Sequence, residues 1–241
     1  MKKSLIALAA GLLVSAMPAV SQAEEAASPL TFNVSVTSDY RYRGISQTRV
    51  KPALQGGADF AGPNGLYVGT WLSSIKWVKD GGGDGNLEWD LYGGWKGEVG
   101  SGLTLDVGVL SYVYPGNKLD PSANTTELYG ALSYGPATLK YSHSVTNLFG
   151  FADSKNSGYI DLSAAFDLGD GLTLAPHVGY QKVAHLSEAS YTDYSLTLSK
   201  TFGMWTPSIA VVGTDTDAYT SPVNGKNLGK AGAVVALKVN F

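Results

Sequence analysis

From Thr31 onward the chain alternates, with Phe32, Val34 and Val36 on one side and Asn33, Ser35 and Thr37 on the other. A period of two places successive side chains on opposite faces of an extended strand. The same pattern recurs twelve times, over roughly 31–42, 53–61, 65–76, 86–98, 102–114, 124–134, 136–145, 157–168, 171–181, 190–201, 204–213 and 230–241. In the ninth segment the greasy series is Leu172, Leu174, Pro176, Val178 and Tyr180, against Thr173, Ala175, His177, Gly179 and Gln181. Pro176 and Pro207 each remove one ladder donor and are the weak points of their segments. The last segment carries Val235, Leu237, Val239 and Phe241, so the sequence closes on an aromatic ring at the end of a two-faced strand.

The connections sort by length. After even-numbered segments they are tight and rich in turn formers: Gly62-Pro63-Asn64-Gly65, Gly100-Ser101-Gly102, Tyr134-Gly135-Pro136, Gly169-Asp170-Gly171 and Phe202-Gly203-Met204. Gly, Asn and Asp take positive φ at low cost, which tight hairpins require. After odd-numbered segments the connections are longer: 43–52, 77–85, 115–123, 146–156, 182–189 and 214–229. Regular alternation of short turns and long loops is the pattern of a transmembrane barrel. A soluble sandwich also alternates along its strands but has no reason to sort its loops. The expectation is therefore all-β: one antiparallel up-and-down transmembrane barrel of about twelve strands, with short periplasmic turns and longer extracellular loops. Lipid accepts no open sheet edge, so the last strand must close against the first.

The two ends and the composition add to this picture. Met1-Lys2-Lys3, an apolar run from Leu5 to Val20 and the small residues Ser21-Gln22-Ala23 predict a signal peptide over 1–23, leaving 24–241 as the barrel domain. The run is too short to span a bilayer, and nothing after it is long and apolar enough to do so as a helix. Thirty Gly, 14 Tyr and a mean hydropathy near zero suit a chain with half of each strand in water. The absence of Cys removes disulfides, thiol catalysis and cysteine metal sites. A net charge of −3, lower by two once Lys2 and Lys3 leave, offers no surface for nucleic acid. Tyr40, Tyr42, Trp77, Tyr112, Tyr114 and Tyr159 at the outer strand ends, with Trp95, Tyr134, Phe202, Trp205 and Phe241 at the inner ones, are expected as two interfacial belts.

With the apolar series facing lipid, the other series lines the lumen. That phase points Asp59, Glu88, Asp90, Asp106, Glu127, Asp161, Asp167 and Asp193 inward, together with Lys96, Lys140, Lys238 and His177. Continuing the first strand past Val36 adds Asp39, Arg41 and Arg43, and the loop beyond holds Arg49 and Lys51. Four basic residues near the outer mouth would form an anion-attracting rim. Two readings of the charged lumen stand side by side: an aqueous pore that selects by field, or paired charges that keep a narrow interior wet and folded. Tyr141-Ser142-His143-Ser144 holds the one Ser-His pairing suited to a lipid hydrolase, but neighbours on a strand face opposite ways. Asp80, Asp84, Asp215 and Asp217 sit in loops where turn chemistry accounts for them better than Ca²⁺ does.

The run Val36-Thr37-Ser38-Asp39-Tyr40-Arg41-Tyr42-Arg43-Gly44-Ile45-Ser46-Gln47-Thr48 resembles the TorF family of proteobacterial porin-like proteins. So do Pro52-Ala53-Leu54-Gln55-Gly56-Gly57-Ala58-Asp59-Phe60, Gly65-Leu66-Tyr67-Val68-Gly69-Thr70-Trp71 and Leu91-Tyr92-Gly93-Gly94-Trp95, while Gly62–Gly65 and Ser73-Ser74 depart from that family's wording. The resemblance implies an outer-membrane barrel assigned to transport by its architecture, with no catalytic residues to carry over.

The function expected is passive diffusion of small hydrophilic solutes across the bacterial outer membrane, with an anion lean. A closed structural or adhesive barrel is the alternative, and a lipid-modifying enzyme a distant third. No cofactor is expected. Expected partners are outer-membrane lipids and lipopolysaccharide, and the barrel-assembly machinery through the strand ending at Phe241. A homo-oligomer is left open.

Overall fold

The structure is a computed structural model and describes residues 28–241; the expected signal peptide lies outside the described residues. The barrel strands are β1 (Leu30–Thr37), β4 (Ala53–Ala61), β5 (Leu66–Ser74), β6 (Leu87–Gly100), β7 (Leu103–Val113), β8 (Thr125–Tyr134), β9 (Ala137–Ser144), β10 (Gly158–Ala164) continued by β11 (Phe166–Gly169), β12 (Leu172–Lys182), β13 (Tyr191–Lys200), β14 (Trp205–Thr214) and β15 (Gly232–Asn240). Two short strands, β2 (Arg41–Tyr42) and β3 (Ile45–Ser46), pair only with each other. Every barrel strand is antiparallel to its neighbour, and β15 pairs with β1, so the wall closes on itself as a twelve-stranded barrel. Pro176 and Pro207 are both accommodated inside their ladders, opposite Leu196 and Leu237.

Closure is completed at the last residue. Phe241 and Phe32 exchange backbone hydrogen bonds of 3.0 and 2.7 Å, and their rings stack 6.1 Å apart. The tight turns use the expected residues: Asn64, Gly65, Ser101, Gly102, Gly135, Asp170, Gly171 and Gly203 all have positive φ. At Gly65 an added Cβ would lie 2.2 Å from the Lys96 carbonyl, so this turn also needs the missing side chain for close approach.

The wall is inside out relative to a soluble sheet protein. Val34, Val36, Val68, Leu91, Val107, Leu128, Leu139, Leu162, Val178, Leu196, Ile209, Val235 and Leu237 all point outward and are exposed. Leaving each such side chain in water forgoes roughly 1.5–3 kcal/mol of burial, so an apolar band around the whole circumference belongs in lipid. The sandwich alternative, which would bury these residues between two sheets, is overturned. Of the two expected aromatic belts, Tyr134, Phe202, Trp205 and Phe241 at the short-turn end do face outward.

The belt at the long-loop end is a correction. Tyr40, Tyr42, Tyr112, Tyr114 and Tyr159 are buried inside the barrel mouth, and Trp77 packs against Tyr114. The physical reason lies in the alternation itself. Tyr112 shares the face of Asp106, and Tyr159 that of Asp161, so both belong to the inward series. The first strand differs as well: β1 stops at Thr37, five residues short of the expected 42, and the chain turns into the lumen.

Candidate functional site

That inward turn places a short hairpin inside the barrel mouth. After β1, residues 38–48 form a β2–β3 hairpin whose tip, Arg43-Gly44, has φ of 44° and 77°. Positive φ at both central residues is what a tight two-residue hairpin turn demands, and it keeps the twist of the flanking strands. A Cβ at Gly44 would sit 2.5 Å from Thr214 Cγ2 and 2.8 Å from Asp193 Cβ, so only Gly lets the tip abut the β13–β14 wall.

Asp39 organises the hairpin from within. Its carboxylate accepts hydrogen bonds from Arg41 Nε (2.5 Å), Ser46 Oγ (2.5 Å) and Thr48 Oγ1 (3.1 Å), all four residues being largely shielded. Arg41 also donates to the carbonyls of Gly44, Leu228 and Lys230, tying the hairpin to the segment before β15.

From the tip, the Arg43 side chain reaches the far wall. Arg43 donates through Nη2 to Glu127 Oε2 on β8 (2.7 Å) and through Nη1 to Gln181 Oε1 on β12 (2.5 Å). Its guanidinium lies 4.2 Å from the Tyr159 ring on β10 and 4.8 Å from the Tyr42 ring. In the order of strands around the barrel, β8 and β10 flank β9, the strand diametrically opposite β1. The hairpin therefore leaves one wall and is anchored on the opposite one. Tyr42 donates to Tyr112 (2.7 Å), and Tyr40 donates to Glu88, whose second oxygen accepts from Tyr114 (2.9 Å).

Behind the tip the network continues. His177 places Nδ1 2.7 Å from Asp161 and Nε2 2.8 Å from Asp193, and Asp193 accepts a second bond from Tyr159 (2.9 Å). A ring flanked by two carboxylates satisfies both contacts as donors only when both nitrogens carry protons. Buried pairs of this sort add little net stability, but removing one partner strands a charge at a cost of about 3–5 kcal/mol. They therefore fix one position of the hairpin more than they stabilise the fold.

Toward the short-turn end the lumen wall is lined differently. Tyr92 and Tyr129 lie flat over Gly69 and Gly108, their cross-strand partners, where an added Cβ would come within 2.3 Å of the Tyr92 ring and 2.5 Å of the Tyr129 hydroxyl. The flattened rings send hydroxyls along the wall: Tyr92 to Asp59 (2.5 Å), and Tyr67 to Asp106 (2.6 Å), with Tyr129 bonded to Tyr67. Lys140 Nζ sits 4.3 Å above the Tyr129 ring, Lys96 is opposite Asp106 in the β6–β7 register, and Lys238 is opposite Ser35 and Thr206.

Each expected lumen residue can now be placed. Glu88, Asp90, Lys96, Asp106, Glu127, Lys140, Asp161, His177 and Lys238 all fall on the inward series. Asp39, Arg41 and Arg43 reach the interior by the hairpin and not by a longer first strand, and none of them forms a bare cationic rim: Arg41 pairs with Asp39, Arg43 with Glu127 and Arg49 with Asp80. Asp90 is 2% exposed, and its Oδ1 has no hydrogen-bond partner among the described residues. His143 faces outward while Ser142 and Ser144 are buried on the inward face, so these three do not converge. The residues the sequence reading missed are Tyr42, Tyr159 and Gln181. The signal was present: Arg43-Gly44 between Tyr42 and Ile45 is a two-residue hairpin turn with alternating flanks.

A family model, Gcw_chp, described as a bacterial protein of unknown function, matches residues 23–241. The chain belongs to the Gcw_chp family. Among solved structures, this Gcw_chp barrel is similar to the KdgM porin described in complex with disordered oligogalacturonate, with a TM-score of 0.57 and 9% identity over 88% of this chain and 98% of that one. It is similar to the NanC porin with a TM-score of 0.56 and 12% identity, over the same shares of the two chains. Likeness at these identities is a likeness of fold. A search of curated protein sequences returned no match.

Proposed function

We propose that this protein is an outer-membrane channel for passive diffusion of small hydrophilic solutes, in which the hairpin at 38–48 sets the width of the passage. The observation that carries the reading is the Arg43 anchor: a segment of the first loop reaches across a polar-lined barrel and is pinned to the opposite wall. A constriction held by charge-assisted bonds selects by size and by local field. The likeness of the opening motifs to the TorF family, and the porin fold of KdgM and NanC, support a transport role in the outer membrane, with export through the periplasm and assembly guided by the strand that ends at Phe241.

The charge preference expected from the arginines is revised. Arg41, Arg43 and Arg49 are neutralised by carboxylates at close range, while Asp59, Glu88, Asp90, Asp106, Asp161 and Asp193 face inward against Lys96, Lys140, Lys238 and His177. An acidic oligosaccharide of the kind named for KdgM fits that field poorly; neutral or cationic hydrophilic solutes fit it better.

The burial of the hairpin also favours a second reading, a structural barrel with a closed lumen. Single-channel recording in planar bilayers separates the two. Discrete open steps from the intact chain, with a severalfold rise in step size for Arg43→Ala, support the channel. Silence from both proteins would leave the closed barrel standing.

A further inference from the structure

We propose that the outer wall over β9, β10 and β12 carries a binding site for a phosphate-bearing lipid of the surrounding leaflet, with Lys182 and His185 holding the phosphate. The proposal rests on the outer-membrane reading above and concerns the exterior of the barrel, where the hairpin plays no part.

The register aligns the wall into rungs. Leu139, Leu162 and Val178 form one outward rung, and Tyr141, Ile160 and Tyr180 form the next toward the long-loop end. All six are exposed, making a smooth apolar column three strands wide and two rungs high. One rung further, the chemistry changes abruptly to His143, Gly158 and Lys182. A switch from aliphatic through tyrosine to basic side chains within three rungs marks the boundary between acyl chains and headgroups. Successive same-face residues are about 7 Å apart along a strand, so the whole column matches the upper part of a single lipid.

Directly at this boundary lies a cavity of about 370 Å³ under the loop that follows β12. Its lining combines apolar Tyr180, Val183 and Leu186 with polar Lys182, His185, Ser187 and Ser190. No carboxylate lines it among the described residues. His185 has φ of 57°, and its Nδ1 lies 2.8 Å from the Asp153 carbonyl and 3.4 Å from the Asp153 carboxylate, so one carboxylate sits behind the ring, outside the cavity lining. Ser190 Oγ accepts from Val183 N–H (2.9 Å), tying the two ends of the loop together. An apolar lining that shares Tyr180 with the acyl-facing wall and also holds a lysine and a histidine suits the junction of a lipid phosphate and its first methylenes. A soluble anion would have no use for the apolar lining, and a neutral lipid none for the basic groups.

The test uses the full mature barrel in neutral detergent and native mass spectrometry with three probes: bis-phosphorylated lipid A, the same lipid without its phosphates, and inorganic phosphate. The phosphorylated lipid is expected to stay bound, the dephosphorylated one to be lost, and inorganic phosphate neither to bind nor to compete. Lys182→Gln with His185→Gln should weaken retention roughly tenfold, as loss of two headgroup contacts implies. Lys200→Gln, an outward lysine at the opposite end, should leave retention unchanged. Equal retention of both lipids, undiminished retention by the double variant, or competition by inorganic phosphate would each overturn the proposal. Membrane fractionation and bilayer conductance of the double variant report separately on the outer-membrane channel reading, which this substitution is not expected to disturb.

Discussion

The two ends of the barrel are made from one repeating pattern and behave as different materials. At the short-turn end, Tyr134, Phe202, Trp205 and Phe241 face outward, and the connections are tight turns with left-handed residues. At the long-loop end Tyr141 and Tyr180 stay on the outer wall, while other rings turn inward. Tyr40, Tyr42, Trp71, Tyr112 and Tyr114 belong to a buried cluster with Phe149 packed against it, and Leu148, Val183 and Ala189 form another under the loops. The first end is a rim governed by strand geometry. The second is a small water-excluding core, assembled from strand ends and loops that are far apart in sequence. Alternation tells lipid from lumen at both ends; only at the second does the lumen side also become a packed interior with buried ion pairs.

The sharpest way to break this contrast is at Glu127. Glu127→Ala leaves the Arg43 guanidinium buried without its carboxylate, which should destabilise the docked hairpin by about 3–5 kcal/mol while the wall stays intact. Hydrogen exchange should rise across 38–48 and remain slow in β12 to β15. Unchanged protection of the hairpin would mean that Arg43 does not anchor it.

A smaller effect is expected where the wall itself is packed. Gly108→Val puts a branched side chain where a Cβ alone would meet the Tyr129 hydroxyl at 2.5 Å, forcing the ring off the wall at a cost of about 1–3 kcal/mol. The urea midpoint of the whole barrel should fall, in contrast to the local response of Glu127→Ala. A midpoint equal to that of the parent chain would show that the ring has room to move.

The smallest change belongs to the short-turn rim. Phe241→Ala removes the stack on Phe32 but keeps both backbone hydrogen bonds, so equilibrium stability should drop by only about 0.5–1.5 kcal/mol. A loss as large as that of Glu127→Ala would erase the distinction between a geometric rim and a packed core.

How much was legible beforehand follows the same division. Ala53–Ala61 was bounded to the residue, and most other strands to within one or two, because side-chain direction along a strand is a local property with period two. The inward placement of Glu88, Asp90, Asp106, Glu127, Asp161 and His177 followed from the same phase. Reading Tyr112 and Tyr159 as interfacial rings set a general preference of aromatics above that phase, and the phase prevailed. The hairpin was harder to see, since Tyr40 to Tyr42 continue the alternation of β1 even though the backbone has already left the wall.

The alternation and the turn residues were enough to specify a closed wall with lipid outside, polar groups inside and ends of unequal loop length, since both act over a few residues. The pairing of Arg43 with Glu127 and Gln181, 84 and 138 residues away, was decided only when the wall closed and brought the β8 and β12 side chains to the far side of the same lumen. Whether an arginine is a free charge or a structural anchor depends on which carboxylate lies within about 3 Å of it, and that distance exists only in three dimensions.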